Sequence, residues 1–420
     1  MTGAIATRTR GPRPTVAGTT RRVVVASDEF TGSVSAAQVA SSVAAGLTAT
    51  VPGVAVAQVP VADGREGTLE AAEAAGFRRV RARVAGPTGV PVASAVAVRG
   101  RTAVVEMAAA SGLAVLPGDR PASLQASSLG TGQLVQAALD LGCTEVVLGV
   151  EGSACTDGGA GLLVGLGARL LDARGGDLDR GGAALRRLDR VDLTGLDPRL
   201  ATARVVLASD VDDPLLGPSG AAVVHGPQKG ASRSDVGVLE AGLARWVAAL
   251  GEVVGSPAAA LARAPGAGAA GGVGYACLVA LGAARRPGVD VVLDLVAFDE
   301  PLVGADLVVT GEGSLDAQTL HGKAPAGVAA RARAAGVPVV AVAGRCLVDP
   351  DELRGAGIDA VHPLSDLEPD VGRCMREAAA LLRRLGRRIA LDRLAAVPAA
   401  TTRHPTRHPT RDTAREESHD

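Results

Sequence analysis

Lysine is nearly absent from this chain. Of its 43 basic residues only Lys229 and Lys323 are lysines, and the rest are arginines. Aromatic residues make up 1% of the sequence, and base-stacking platforms need aromatic faces, so a single-strand nucleic-acid binder is not expected. A net charge of −1 offers no basic field to a duplex either. The cysteines (Cys143, Cys155, Cys277, Cys346, Cys374) are scattered without a C-x-x-C pair, which argues against a zinc site and a disulfide framework. No uncharged apolar run reaches about 18 residues, the length of a membrane span. The opening MTGAIATRTRGPRPTVAGTTRR has no apolar stretch of the kind a secretory signal carries. A soluble cytoplasmic protein without membrane or nucleic-acid partners is the expectation.

What is present is small and apolar. The chain has 420 residues, 47% of them hydrophobic, and 55 glycines, enough to bury one large core or two medium ones. The glycine and arginine richness suggests a GC-rich coding bias, which accounts for scarce lysine in general and makes the two survivors informative. Residues 1–20 and 397–420 read as disordered tails; the second holds TRHPTRHPTR, which cannot bury a core. Between them, short β-branched runs alternate with Ala/Leu-rich stretches, the pattern of an α/β fold with parallel strands. Strands are expected at 21–27, 55–61, 144–150, 203–209, 305–311 and 337–344, with a helix over 35–49 capped by Ser35. In open α/β sheets ligands sit beyond the carboxyl ends of strands, and the unusual residues of this chain lie there.

After the first strand, SDEFTGS presents Asp28 as a proton acceptor or metal ligand, and Ser33 as a donor near a helix start. After the second, VADGREGT presents Asp63 and Glu66. EGSACTDGG supplies Gly152, Ser153, Asp157, Gly158 and Gly159 in a strand–loop–helix layout that suits a phosphate cradle. It fits neither G-x-G-x-x-G nor the P-loop pattern. SDVDDPLLGPSGAAVVHGPQKG carries Asp210 and Asp212, oxygen ligands suited to Mg²⁺, and ends on Lys229. TGEGSLDAQTLHGK carries Gly311, Glu312, Asp316 and Lys323. A lysine is a compact point charge for a phosphate oxygen, where arginine offers a planar fork. Together these pieces point to phosphoryl transfer, with acids for a metal, glycine loops for phosphate and lysines for transition-state charge.

VVEMAAASGLAVL, SLGTGQLVQAALDLG, TDGGAG, SDVDDPLLGPSGAAVVHGPQKGA, GAGAAGGVGYACLVALGA and TGEGSLDAQTLHGKAP resemble the glycerate kinase family of the bacterial glyoxylate and glucarate pathways, from about Val23 to about Leu385. The resemblance implies transfer of the ATP γ-phosphoryl group, with Mg²⁺, to D-glycerate, giving 2-phosphoglycerate. It implies a two-domain α/β architecture: a flavodoxin-like parallel-sheet domain over 21–100 plus 285–390, with a second α/β domain inserted over 101–284. On that reading Asp28 or Asp210 is the base or metal-organising carboxylate, and Asp210 and Asp212 are the metal ligands. Glu312 and Asp316 bind substrate, and Lys229 and Lys323 neutralise anionic charge from the two domains. Gly152, Ser153, Gly158 and Gly159 form an anion loop. The chain departs from the usual family pattern at Ser27, Glu29, Thr31, Arg65, Glu151, Cys155, Thr156, Asp213 and Ser314. A kinase of another short hydroxy acid, and a paralogue that only binds sugar acid or nucleotide, are the alternative readings. Oligomeric state stays open.

Overall fold

The computed structural model describes residues 20–320 and 322–395; the expected tails lie outside them, apart from residue 20. The chain lays down β1 (Arg22–Val25), the helix Ala36–Thr50 and β2 (Ala55–Gln58). The helix starts where the sequence predicts, with Ser35 and Gln38 forming a reciprocal capping box. The chain then leaves for a second sheet with β3 (Arg78–Ala85), β4 (Pro91–Arg99), β5 (Thr102–Glu106) and β6 (Glu145–Gly149). After a small antiparallel pair, β7 (Arg169–Asp172) and β8 (Leu188–Asp192), it completes that sheet with β9 (Arg204–Ala208) and β10 (Ala284–Arg286). It returns as β11 (Leu307–Leu315), β12 (Val339–Cys346) and β13 (Ala360–Pro363).

The first sheet runs β13-β12-β11-β1-β2, all parallel. Counted within that sheet the order is 2-1-3-4-5, the flavodoxin-like arrangement. The second runs β10-β9-β6-β5-β4-β3, with β3–β4 and β4–β5 antiparallel and the rest parallel. Both sheets are covered on both faces, and their parallel strands are correspondingly apolar on both sides: Val23, Val24 and Val25 are all buried. Among the described residues no helix is long and apolar enough to cross a membrane.

The division differs from the expected one at its first boundary. Residues 78–99 pair with β5 through short antiparallel connections, so the crossover between sheets falls between Gln58 and Arg78 rather than at residue 100. The reason is local. Arg78, Arg79, Arg81 and Arg83 give β3 a charged, half-exposed character, which hides a strand at the edge of a sheet and also guards that edge against further pairing.

Candidate active site

The carboxyl ends of β1 and β11 open into a cavity of about 450 Å³ lined by Ser33, Asp63, Glu66, Glu312, Asp316 and Lys323 as well as Asp28. Asp28 is placed by its backbone: its N–H and the Ser27 hydroxyl both donate to the Gly311 carbonyl, at 2.9 Å each. Burial pushes the Asp28 carboxyl well up, and the neighbouring Asp63 carboxylate adds to it. Glu312 is raised by burial too, opposed by a hydrogen bond from Thr319 and by the Lys323 charge. Lys323 Nζ lies 3.6 Å from Glu312 and 3.7 Å from Asp316, and the Ser33 hydroxyl donates to the Met375 carbonyl at 2.6 Å.

The second sheet approaches the same region. Asp210, just beyond β9, accepts from the Gly288 N–H at 3.0 Å, and Gly322 packs against its carboxyl. Burial, opposed by the Gly288 hydrogen bond and aided by the charges of Asp63 and Glu151, pushes its carboxyl up to about 7. Asp210 therefore sits beside the loop that carries Lys323, at the seam between the sheets, without lining the cavity itself. Gly152 abuts Glu66 there.

Other expected residues have different work. Lys229 is buried, donating to the Ser153 hydroxyl at 2.9 Å and the Cys155 carbonyl at 2.6 Å. It braces the 151–155 loop inside the second domain and does not face Lys323 across the cavity. That loop is no open phosphate cradle. Asp157 accepts from the Ser128 N–H and hydroxyl and from the N–H groups of Gly159 and Gly161, joining two helix starts. Gly158 and Gly159, at φ 65° and 74°, are packed against Trp246, Val273 and Ala276, and Trp246 Nε1 donates to the Gly158 carbonyl. Gly311 lies within β11, where a side chain would meet the Val342 carbonyl at 2.2 Å, so its role is to let strands close and to position Asp28. Asp212 is 79% exposed and paired with Arg285 at 2.7 Å, so it does not join Asp210 as a metal pair.

Carboxylates that would suit a cation lie in the cavity instead. Asp63 Oδ1 is buried without a hydrogen-bond partner, beside Asp28 and Glu312. Among the described residues no cluster of three His, Cys, Asp or Glu side chains forms a closed metal cage. Mg²⁺ bound through one or two carboxylates, water and phosphate oxygens needs none, so the carboxylates of Asp63 and Glu312 would suit it.

Three features of the cavity were not expected as site residues. Arg65 pairs through Nε with Asp63 Oδ2 at 3.1 Å, Arg345 lies near the carboxyl end of β12, and Phe30, Leu364, Pro369, Val371 and Met375 form an apolar wall. Arg345 obeys the strand-end rule and was findable; the wall comes from segments 30–34 and 364–378, brought together only by folding.

The glycerate kinase family model matches residues 23–393. A glycerate kinase of Bacillus subtilis (strain 168) is 41% identical over 372 residues, covering 88% of this chain and 97% of that protein. A glycerate 2-kinase of Escherichia coli (strain K12) is 40% identical over 344 residues, covering 81% and 89%. The crystal structure of a protein assigned as glycerate kinase 2 from Salmonella typhimurium LT2 superposes with a TM-score of 0.77 at 38% identity, covering 89% of this chain and 98% of that one. With the family model spanning nearly all of the described chain and such relatives matched almost end to end, this protein belongs to the glycerate kinase family.

Proposed function

We propose that the protein transfers the γ-phosphoryl group of ATP to D-glycerate, with Mg²⁺, giving 2-phosphoglycerate and ADP in the cytoplasm. The observation that carries this is one cavity holding Asp28, Asp63, Glu312 and Lys323 beside an apolar wall large enough for a nucleoside. Asp28, its carboxyl raised by burial, accepts the proton of the attacking hydroxyl as that oxygen bonds to phosphorus and the bond to the ADP oxygen breaks. Lys323, held by Glu312 and Asp316, faces the charge that builds on the transferred group. Asp63 and Glu312 would hold Mg²⁺, which supplies charge neutralisation and orientation of the phosphates. Phe30, Val371 and Met375 pack against the base.

The test is product identification. Purified protein with ATP, MgCl₂ and D-glycerate is expected to release ADP in step with a product that enolase dehydrates directly. A product that enolase accepts only after a mutase is added contradicts phosphorylation at the 2-hydroxyl. No product, from folded protein, contradicts the activity.

A further inference from the structure

We propose that Arg65 grips the carboxylate of the acceptor acid and so selects an acid over a neutral polyol. The inference rests on the kinase reading above and adds a residue to it. Arg65 uses Nε for its ion pair with the buried Asp63, and its side chain stays 45% exposed. Among the described residues neither terminal nitrogen, Nη1 nor Nη2, donates a hydrogen bond, and Arg65 lines the cavity, so the planar fork keeps donors for a ligand there. That is the geometry for a bidentate carboxylate. Of the other cations lining the cavity, Lys323 lies between Glu312 and Asp316, and Arg345, whose Nε donates to the Ser314 hydroxyl at 3.1 Å, belongs to β12 of the first sheet.

Position assigns Arg65 to the acceptor. In-line transfer puts the acceptor and the leaving nucleotide on opposite sides of the phosphoryl group. The apolar wall belongs to segments of the first domain, where Gly32 packs on Met375. The loop that carries Arg65 instead leans on the second sheet, with Gly64 against Gly149 and Ala208, and Glu66 against Gly152. An anion entering this seam meets Asp28, Asp63, Glu151 and Glu312, the acids whose charges act on Arg65. A cation at this place offsets their repulsion of a small acid.

The experiment compares D-glycerate with D-glyceramide, which has the same hydroxyls and no charge, in wild type, Arg65→Gln and Arg65→Lys. For Arg65→Gln, KM for D-glycerate is expected to rise about 10- to 100-fold, the worth of a charged hydrogen-bond pair. KM for ATP should stay near the wild-type value. The preference for glycerate over glyceramide should collapse, and Arg65→Lys should recover part of it. Retained preference in Arg65→Gln overturns the assignment, as does a loss confined to kcat or to KM for ATP. A wild type that uses glyceramide as well as glycerate overturns it without any variant. If wild type turns over neither, the kinase reading fails and calorimetric titration with D-glycerate still decides: equal affinity in wild type and Arg65→Gln removes the grip.

Discussion

Asp210 and Glu106 are carboxyls that burial pushes up to about 7, against an unfolded value near 4. The unfolded chain therefore gives up these protons first as pH rises. Stability that is fully present below about pH 4 is lost progressively up to about pH 7, the sign expected for a group raised on folding. Asp210→Asn, uncharged throughout, should lose less thermal stability between pH 4 and 8 than wild type, read as melting temperature against pH; an equal slope contradicts the buried-acid account. Gly158→Ala tests the reassigned glycine loop. At φ 65°, with Trp246 2.6 Å from where a Cβ would begin, the variant should lose about 1–3 kcal/mol in denaturant titration. KM for ATP in the folded fraction should not change, and a raised KM with unchanged stability would restore the phosphate cradle. The two lysines show what single residues disclose. Scarcity singled out both, each beside a glycine in a segment rich in acids, yet Lys323 lines the cavity and Lys229 braces a loop. Which way a side chain turns depends on Ser153 and the Cys155 carbonyl, about 75 residues away in sequence, and no local pattern carries that.

At the scale of elements, β1, β6, β9, β11 and β12 were legible because burial on both faces leaves a continuous β-branched run, as in VVLGV and VVAVAG, whereas the parallel strands β5, β10 and β13 were not expected. β3 was not legible, since the arginines of an edge strand look like a solvated segment, and its partner β4 was not expected either. The capping box on the helix Ala36–Thr50 was readable from Ser35, and Ser35→Ala should cost about 1 kcal/mol in denaturant titration. The partner of that helix was not readable. It packs on the helix Ala378–Ile389 so closely that a side chain at Gly46 would start 2.2 Å from the Arg383 carbonyl, and one at Gly386 2.4 Å from the Val43 carbonyl. Gly46→Ala should therefore lose about 1–3 kcal/mol of stability by overpacking, with kcat/KM of the folded protein retained, because the contact lies outside the cavity. Unchanged stability would mean the two helices separate freely.

For the molecule as a whole, the alternating strand and helix runs were enough to expect an α/β fold, while the flavodoxin-like sheet interrupted by a second α/β unit was expected only from the resemblance to the family. The meeting of the two sheets was not visible. It depends on Gly64, Gly149 and Gly288 allowing backbones to touch, and it brings Asp210 beside Gly322. The same meeting makes Arg65 a seam residue. The proposed phosphoryl transfer lies at the carboxyl ends of β1 and β11, with the second sheet on the proposed acceptor side. The measurement that bears on this most directly is kcat of Asp28→Asn and Lys323→Met in the ADP-release assay with D-glycerate, alongside their melting temperatures. Each variant should lose at least about 100-fold in kcat while melting within a few degrees of wild type. Activity within about threefold of wild type in either folded variant would place the chemistry elsewhere.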